Sequence, residues 1–339
     1  PRAMASHVLR LLLLLCLLGD LCAGRFSRRA VLSRGLGAGT LVGLQRHTDA
    51  AAPPCRDASS LLNFFTSTSI SPLGAALNPL APQDLYYPEW MFGAWTLTAT
   101  LRQKTFPFGE DKVPISLVEG SPRNREEKVG NTVSYEARYF STLADTAENS
   151  AVVTLGLGVP KSRIIADRAF NSIALNKAYN QQARIGAVDW DPRKDPTRLT
   201  ISFLPTTTAD MRPLGPRRVE AYITARRMEE CVDCRRGNLP SVVFAEKSRS
   251  VMLEPGNVIV NDIESACDLV QTREGRVEGR SRLAVFLTPN PNSREGVIWQ
   301  EVGGKAVALF DYDISMDRML DSKVGRPCVE TPKGYTQCY

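Results

Sequence analysis

Cys231-Val232-Asp233-Cys234 has the spacing of a dithiol that exchanges disulfides, or of half a zinc site. No second such pair occurs in the chain, and the motif sits in a charged stretch between Arg226 and Arg236 rather than opening an apolar helix. A structural bridge or loop thiols therefore compete with a thiol oxidoreductase acting through Cys231 and Cys234. A second candidate set is Glu220, Tyr222 and Arg226. On an extended strand these share the face opposite Val219, Ala221, Ile223 and Ala225, and they would offer acid–base groups. The polar face of an alternating strand is ordinarily its solvent side. Residues 156–162 end like a phosphate-binding loop, but no glycine precedes Lys161, and Pro160 lacks the N–H that would face phosphate. That segment reads as a turn.

Histidine decides more than these motifs do. His7 and His47 are the only two in 339 residues. Beyond residue 52 the chain therefore has no base for Ser-His-Asp or Cys-His catalysis and lacks the commonest transition-metal ligand. Carboxylate, tyrosine or lysine chemistry stays open, but the residues point away from an enzyme and imply no cofactor or metal.

The first 52 residues read as addresses to be removed before the fold is considered. Met4 reads as the initiator. Arg10, the leucine-rich run 11–18 and the small residues Cys22-Ala23-Gly24 then make 4–24 a secretory signal peptide, its apolar run being too short to span a bilayer. Ser27-Arg28-Arg29-Ala30-Val31-Leu32 has the shape of a twin-arginine export signal, and the glycine-rich stretch 35–44 continues it. Segment 25–52 thus reads as plastid transit plus lumen targeting. Tandem export signals require nested membranes, and Phe26 beside the first cleavage point is a feature of complex-plastid presequences. The expected destination is the thylakoid lumen of a complex (secondary) plastid.

Of 42 basic and 36 acidic residues, seven arginines and two aspartates lie in 1–52, leaving 35 basic against 34 acidic. A nearly neutral mature chain has no general attraction for nucleic acid or anionic lipid, and after processing it does not read as an integral membrane protein. Six cysteines remain in it: Cys55, Cys231, Cys234, Cys267, Cys328 and Cys338. An oxidising compartment permits bridges among them, although pairing does not follow from sequence. Cys328 with Cys338 would close a small terminal loop.

Strands must position these groups. Residues 53–87 form a proline-dotted arm. From Phe92 the chain alternates, placing Trp95, Leu97, Ala99 and Leu101 on one face and the threonines on the other. The period recurs over 133–139, 199–203, 219–225, 258–260, 283–287, 297–299 and 307–310, with weaker segments near Ile115, Val152, Val188, Val243 and Leu269. One helix is expected over 167–179, where Ala169, Phe170, Ile173, Ala174 and Lys177 share a face and Asp167 caps the first turn. The class is mainly β. A single antiparallel β-barrel over 88–320 is expected, starting at Phe92 and closing near Tyr312, because closure leaves few exposed edges. One helix, the extended N-terminal arm and a C-terminal extension over 321–339 complete it.

Tyr87-Pro88-Glu89-Trp90-Met91-Phe92-Gly93-Ala94-Trp95, followed by Phe106-Pro107-Phe108-Gly109, resembles the opening of an uncharacterised thylakoid-lumen family of plants, algae and cyanobacteria that carries a domain of unknown function. Ile165-Ala166-Asp167-Arg168-Ala169-Phe170-Asn171, Val188-Asp189-Trp190-Asp191-Pro192 and Arg218-Val219-Glu220 are similar to its later blocks in the same order. The resemblance covers about 86–312 and implies a compartment, with no activity to carry over. A looser similarity is to lipocalins, through Gly93-Ala94-Trp95. In such calycin barrels the tryptophan packs across one end beneath an arginine from another strand, a part that Arg226, Arg227 or Arg318 would play.

Three function classes follow. The first is a non-catalytic binder of a small lipophilic ligand (pigment, quinone or fatty acid) held by Trp95, Leu97, Tyr135, Phe203, Tyr222, Ile223 and Arg226. The second is a lumenal subunit or assembly factor of a photosynthetic complex, engaged through the arm and the terminal extension. The third is the thiol oxidoreductase.

Overall fold

Alternating segments of this kind bury one face each, and a sheet that curls gives all of those faces a common interior. The computed structural model describes residues 84–339 except 125, 144–148, 150–151, 153, 156–158, 160–161, 182–183, 208–212 and 291. The chain falls into two units, Pro1–Ala50 and Ala51–Tyr339, and every described residue belongs to the second. The expected signals over 4–52, the arm over 53–83 and most of the turn at 156–162 lie outside the described residues.

Ten strands form one antiparallel sheet: β1 (Gly93–Thr105), β2 (Thr132–Leu143), β3 (Ser162–Ala166), β4 (Ile185–Asp191), β5 (Asp195–Phe203), β8 (Arg217–Asp233), β9 (Leu239–Glu254), β10 (Asn257–Arg273), β11 (Arg276–Phe286) and β12 (Ala308–Met319). Their order is β3-β2-β1-β12-β11-β10-β9-β8-β5-β4, curled into a half-barrel. Two small hairpins, β6 (Thr206–Thr207) with β7 (Pro213–Leu214) and β13 (Cys328–Glu330) with β14 (Thr336–Cys338), form two-stranded sheets of their own. The expectation of a mainly β protein built on one large antiparallel sheet holds. The end strands β3 and β4 do not pair with each other among the described residues.

The inner face follows from β1. Trp95, Ala99 and Leu101 are fully buried, while outward Thr98 and Thr100 bond across the strand pair to Ser134 and Thr132. Register carries that face around the sheet: Leu101 opposite Tyr312, Tyr312 opposite Ser281, Ser281 opposite Cys267 and Cys267 opposite Phe244. The curl brings β2 toward β9, so the Tyr87 ring meets both Tyr139 at 5.0 Å and Phe244 at 5.3 Å, edge-on. Gly279 on β11 is needed where β10 approaches closely, since a Cβ there would lie 1.9 Å from the Asp268 carbonyl oxygen.

Helices α1 (Ile115–Glu119), α2 (Arg168–Tyr179) and α3 (Arg294–Glu301) flank the sheet. Helix α2 is the expected one, and its Asp167 cap accepts from the Phe170 amide at 2.9 Å. It packs on β2 and meets β4, near the two ends of the strand order. Asn171 fixes it there, accepting from the Arg138 amide at 2.7 Å and donating to the Arg138 carbonyl at 3.1 Å. Strands expected near Ile115 and over 297–299 are helical instead. Pro114 sets the first residue of α1, and the Ser293 side chain caps α3 by accepting from the Gly296 amide. Val152 is also helical rather than extended.

The C-terminal segment is part of the fold. Cys328 and Cys338 are disulfide-bonded, Val329 is buried in the main core, and the Gln337 amide pairs with both the N–H and the C=O of Ser141 at 2.9 Å each. Ser141 lies beyond the last β1–β2 pair, so this side chain stands in for a missing strand partner.

Candidate functional site

Where β10, β11 and β12 meet the connection before β2, the inner wall of the half-barrel carries a polar cluster amid apolar packing. Tyr312 from β12, Ser281 from β11 and Cys267 from β10 lie side by side by register, and the Cys267 thiol donates to Ser281 Oγ at 3.4 Å. The connection between α1 and β2 adds Ser121, Arg123 and Glu127. Glu127 is 2% exposed, and its carboxylate accepts from Tyr179 Oη of α2 at 2.9 Å, from Tyr312 Oη at 2.9 Å and from Ser121 Oγ. Three hydroxyl donors thus compensate one buried carboxylate.

Arg123 sits over the Tyr312 ring with its guanidinium carbon 4.8 Å from the centroid. Its charged neighbours on titration are Tyr312, Tyr135, Tyr179 and Cys267. It is half-buried, and its guanidinium makes no hydrogen bond or ion pair with any described residue. Burial pushes the Tyr312 phenol up to about 12 and raises Tyr135 against the opposing influence of Arg123. Burial raises the Cys267 thiol as well, opposed by its bond to Ser281. These groups stay protonated near neutrality. The hydroxyls of Ser121, Tyr179 and Tyr312 are engaged by Glu127 and the Cys267 thiol by Ser281, which leaves the Arg123 guanidinium and the Tyr135 hydroxyl as the cluster's open donors, and the cluster lacks an activated nucleophile.

A second buried network is structural. Arg168 of α2 donates to Asp84 at 2.6 Å and to both oxygens of Glu246 on β9 at 2.6 and 2.9 Å. It ties the N-terminal segment, the helix and the far side of the sheet together. Arg226 lies in the electrostatic field of the same residues.

The residues expected to line a ligand site divide. Leu97, Tyr135 and Ile223 occupy inner, half-buried positions. Phe203 is also half-buried, with Arg217 5.4 Å over its ring. Trp95 is inward but wholly buried, its indole N–H donating to the Met91 carbonyl at 2.8 Å. Of the three arginines considered for its ring, Arg318 takes the place, 4.7 Å from the centroid and directly cross-strand. Glu220, Tyr222 and Arg226 do not share a face. A bulge between Ile223 and Ala225 reverses the alternation, turning Arg226 inward opposite Glu246. Tyr222 stays outside, bonded to Glu220, which also accepts from Arg198 at 3.0 Å and Arg218 at 2.6 Å. Cys231 and Cys234 do not bond to each other: Cys231 is in a disulfide and Cys234 is free and exposed. The dithiol chemistry read from their spacing has no pair to act through. Arg123, Glu127, Tyr179, Tyr312 and Cys267 had no sequence signal of their own.

Among the described residues no group of three or more His, Cys, Asp or Glu could hold a metal ion, and no helix is long and apolar enough to cross a membrane. No curated protein and no solved structure matches the chain. One family's sequence model matches residues 79–319, ending on the last residue of β12. Because that span holds all ten strands of the sheet and most of the chain, the protein belongs to the family defined by this domain of unknown function, DUF6816.

Proposed function

We propose that the protein is a non-catalytic binder of a small lipophilic molecule (a pigment, quinone or fatty acid), acting in the thylakoid lumen of a complex plastid, with its half-barrel serving as an open relative of the lipocalin barrel. The observation that carries this reading is the condition of the inner wall. Leu97, Tyr135, Phe244, Ile263, Ile223 and Met228 all face inward by register and are only partly buried. A reachable apolar wall with a few convergent polar groups favours an apolar occupant. Covering 200 Å² of such wall would contribute on the order of 5 kcal/mol. The Arg318–Trp95 pair supports the lipocalin likeness.

The test is retention. Mature protein spanning 53–339, exposed to a lipid and pigment extract and repurified, is expected to carry one lipophilic molecule per chain by native mass spectrometry. Its Tm should rise with the ligand. Protein recovered empty, with Tm unmoved by fatty acids, quinones or carotenoids, would overturn the reading.

A second reading, a lumenal subunit or assembly factor of a photosynthetic complex, is favoured by the exposed apolar residues Met319, Leu320, Val324, Tyr335 and Tyr339 along the C-terminal segment. Comigration with a solubilised thylakoid complex on native gels would support it, and free migration of the whole pool would remove it.

A further inference from the structure

We infer that Arg123 and Tyr135 form a head-group site for a carboxylate borne on an apolar chain. The inference rests on the binding reading above and names the chemistry at the polar end of that wall. Arg123 projects from the connection before β2 onto the inner face, where Tyr312 supports it from below at 4.8 Å. A ring beneath a guanidinium engages the face of the cation and leaves its N–H donors free. None of those donors reaches an acceptor among the described residues.

The other groups near it are occupied or are donors themselves. Both oxygens of Glu127 are held by Ser121, Tyr179 and Tyr312. Lys104, a cation on the same stretch of inner wall, donates to the Val118 and Glu119 carbonyls at 3.3 and 3.1 Å. The Cys267 thiol is turned to Ser281. Tyr135 lies in the field of Arg123 and Cys267, and its hydroxyl has no hydrogen-bond partner among the described residues. A forked cation beside a free hydroxyl, with no acceptor left over, fits a carboxylate in geometry as well as charge. Beyond this end the wall continues through Cys267 to Phe244 and Met228 by register, an apolar path for a chain.

The experiment compares a long-chain fatty acid, the alcohol of equal length and acetate, each titrated into the mature protein by displacement of a fluorescent lipid probe. The acid is expected to bind at least tenfold tighter than the alcohol, and acetate not measurably. Tyr135→Phe should narrow the acid–alcohol gap severalfold, and Arg123→Gln should abolish it. The wild-type comparison needs no variant, so it decides the matter even if Arg123→Gln does not fold. Equal affinity for acid and alcohol would overturn the head-group site and leave the lipophilic binder standing. Displacement by neither would overturn both. A gap that persists unchanged in folded Arg123→Gln would place the carboxylate elsewhere.

Discussion

Glu264 is the residue whose replacement tests the energetics of this fold most directly. It lies on the outer face of β10, opposite Ala284 of β11 and Lys247 of β9, and is 1% exposed. Neither carboxylate oxygen has a hydrogen-bond partner among the described residues. Lys247 places its ammonium 4.5 Å over the Phe286 ring rather than on the carboxylate. Burial raises the Glu264 pKa from 4.5 to about 8, with Lys247 opposing. Because the folded-state pKa lies above the unfolded one, the unfolded chain gives up this proton first. Stability is whole below about pH 4.5 and falls as the pH rises toward 8. At about 1.4 kcal/mol per tenfold shift the full effect is about 5 kcal/mol, of which about 3.5 kcal/mol is lost between pH 5 and pH 8. Denaturant unfolding of wild type and Glu264→Gln at half-unit intervals from pH 5 to 8 isolates this group, since every other titration is common to both. The two should lie within about 1 kcal/mol at pH 5. The variant should then be the more stable by about 3 kcal/mol at pH 8. Parallel curves across the range would refute the argument that a buried, unpartnered carboxyl is present.

Gln337→Ala strips the Ser141 N–H and C=O of their partner and should cost about 1–3 kcal/mol in denaturant unfolding; an unchanged midpoint would mean the C-terminal hairpin docks by other means. Cys328→Ser with Cys338→Ser, which opens a loop of sequence separation 10, should cost about 2–3 kcal/mol by the same assay. Gly279→Ala drives a methyl into the Asp268 carbonyl, so β10 and β11 must part; a loss of about 2–4 kcal/mol or failure to fold is expected, and a stable variant would contradict the close approach. Native-state thiol labelling mapped by peptide mass spectrometry should modify exposed Cys234 within minutes and partly buried Cys267 more slowly, because burial holds the second thiol protonated.

Much of the architecture was legible because it depends on neighbours in sequence. The alternation through Trp95, Leu97, Ala99 and Leu101 specifies one covered face whatever covers it. The Asp167 cap with apolar residues three and four apart specifies α2. Local reading fails where two local signals compete. Val297-Ile298-Trp299 is β-branched and aromatic like a strand, yet the Ser293 cap and the Gly296 amide win it for α3. It fails again at the bulge after Ile223, where one extra residue with no distinctive composition sends Arg226 inward.

The candidate site lay beyond local reading altogether. Glu127 and Tyr312 are 185 residues apart and Glu127 and Tyr179 are 52 apart, so no window of sequence contains the cluster. By itself the sequence determined the strand periods, the helix with its cap, the absence of histidine beyond residue 47 and hence the chemistry the mature chain lacks. Only the tertiary structure decided that Arg318 and not Arg226 covers Trp95, that Cys231 does not pair with Cys234, and that Arg123 has a ring beneath it and, among the described residues, no acceptor bonded to it. Periodicity is set by backbone geometry one residue at a time, whereas a site is set by which strands become neighbours, and that choice is made by the packing of the whole sheet.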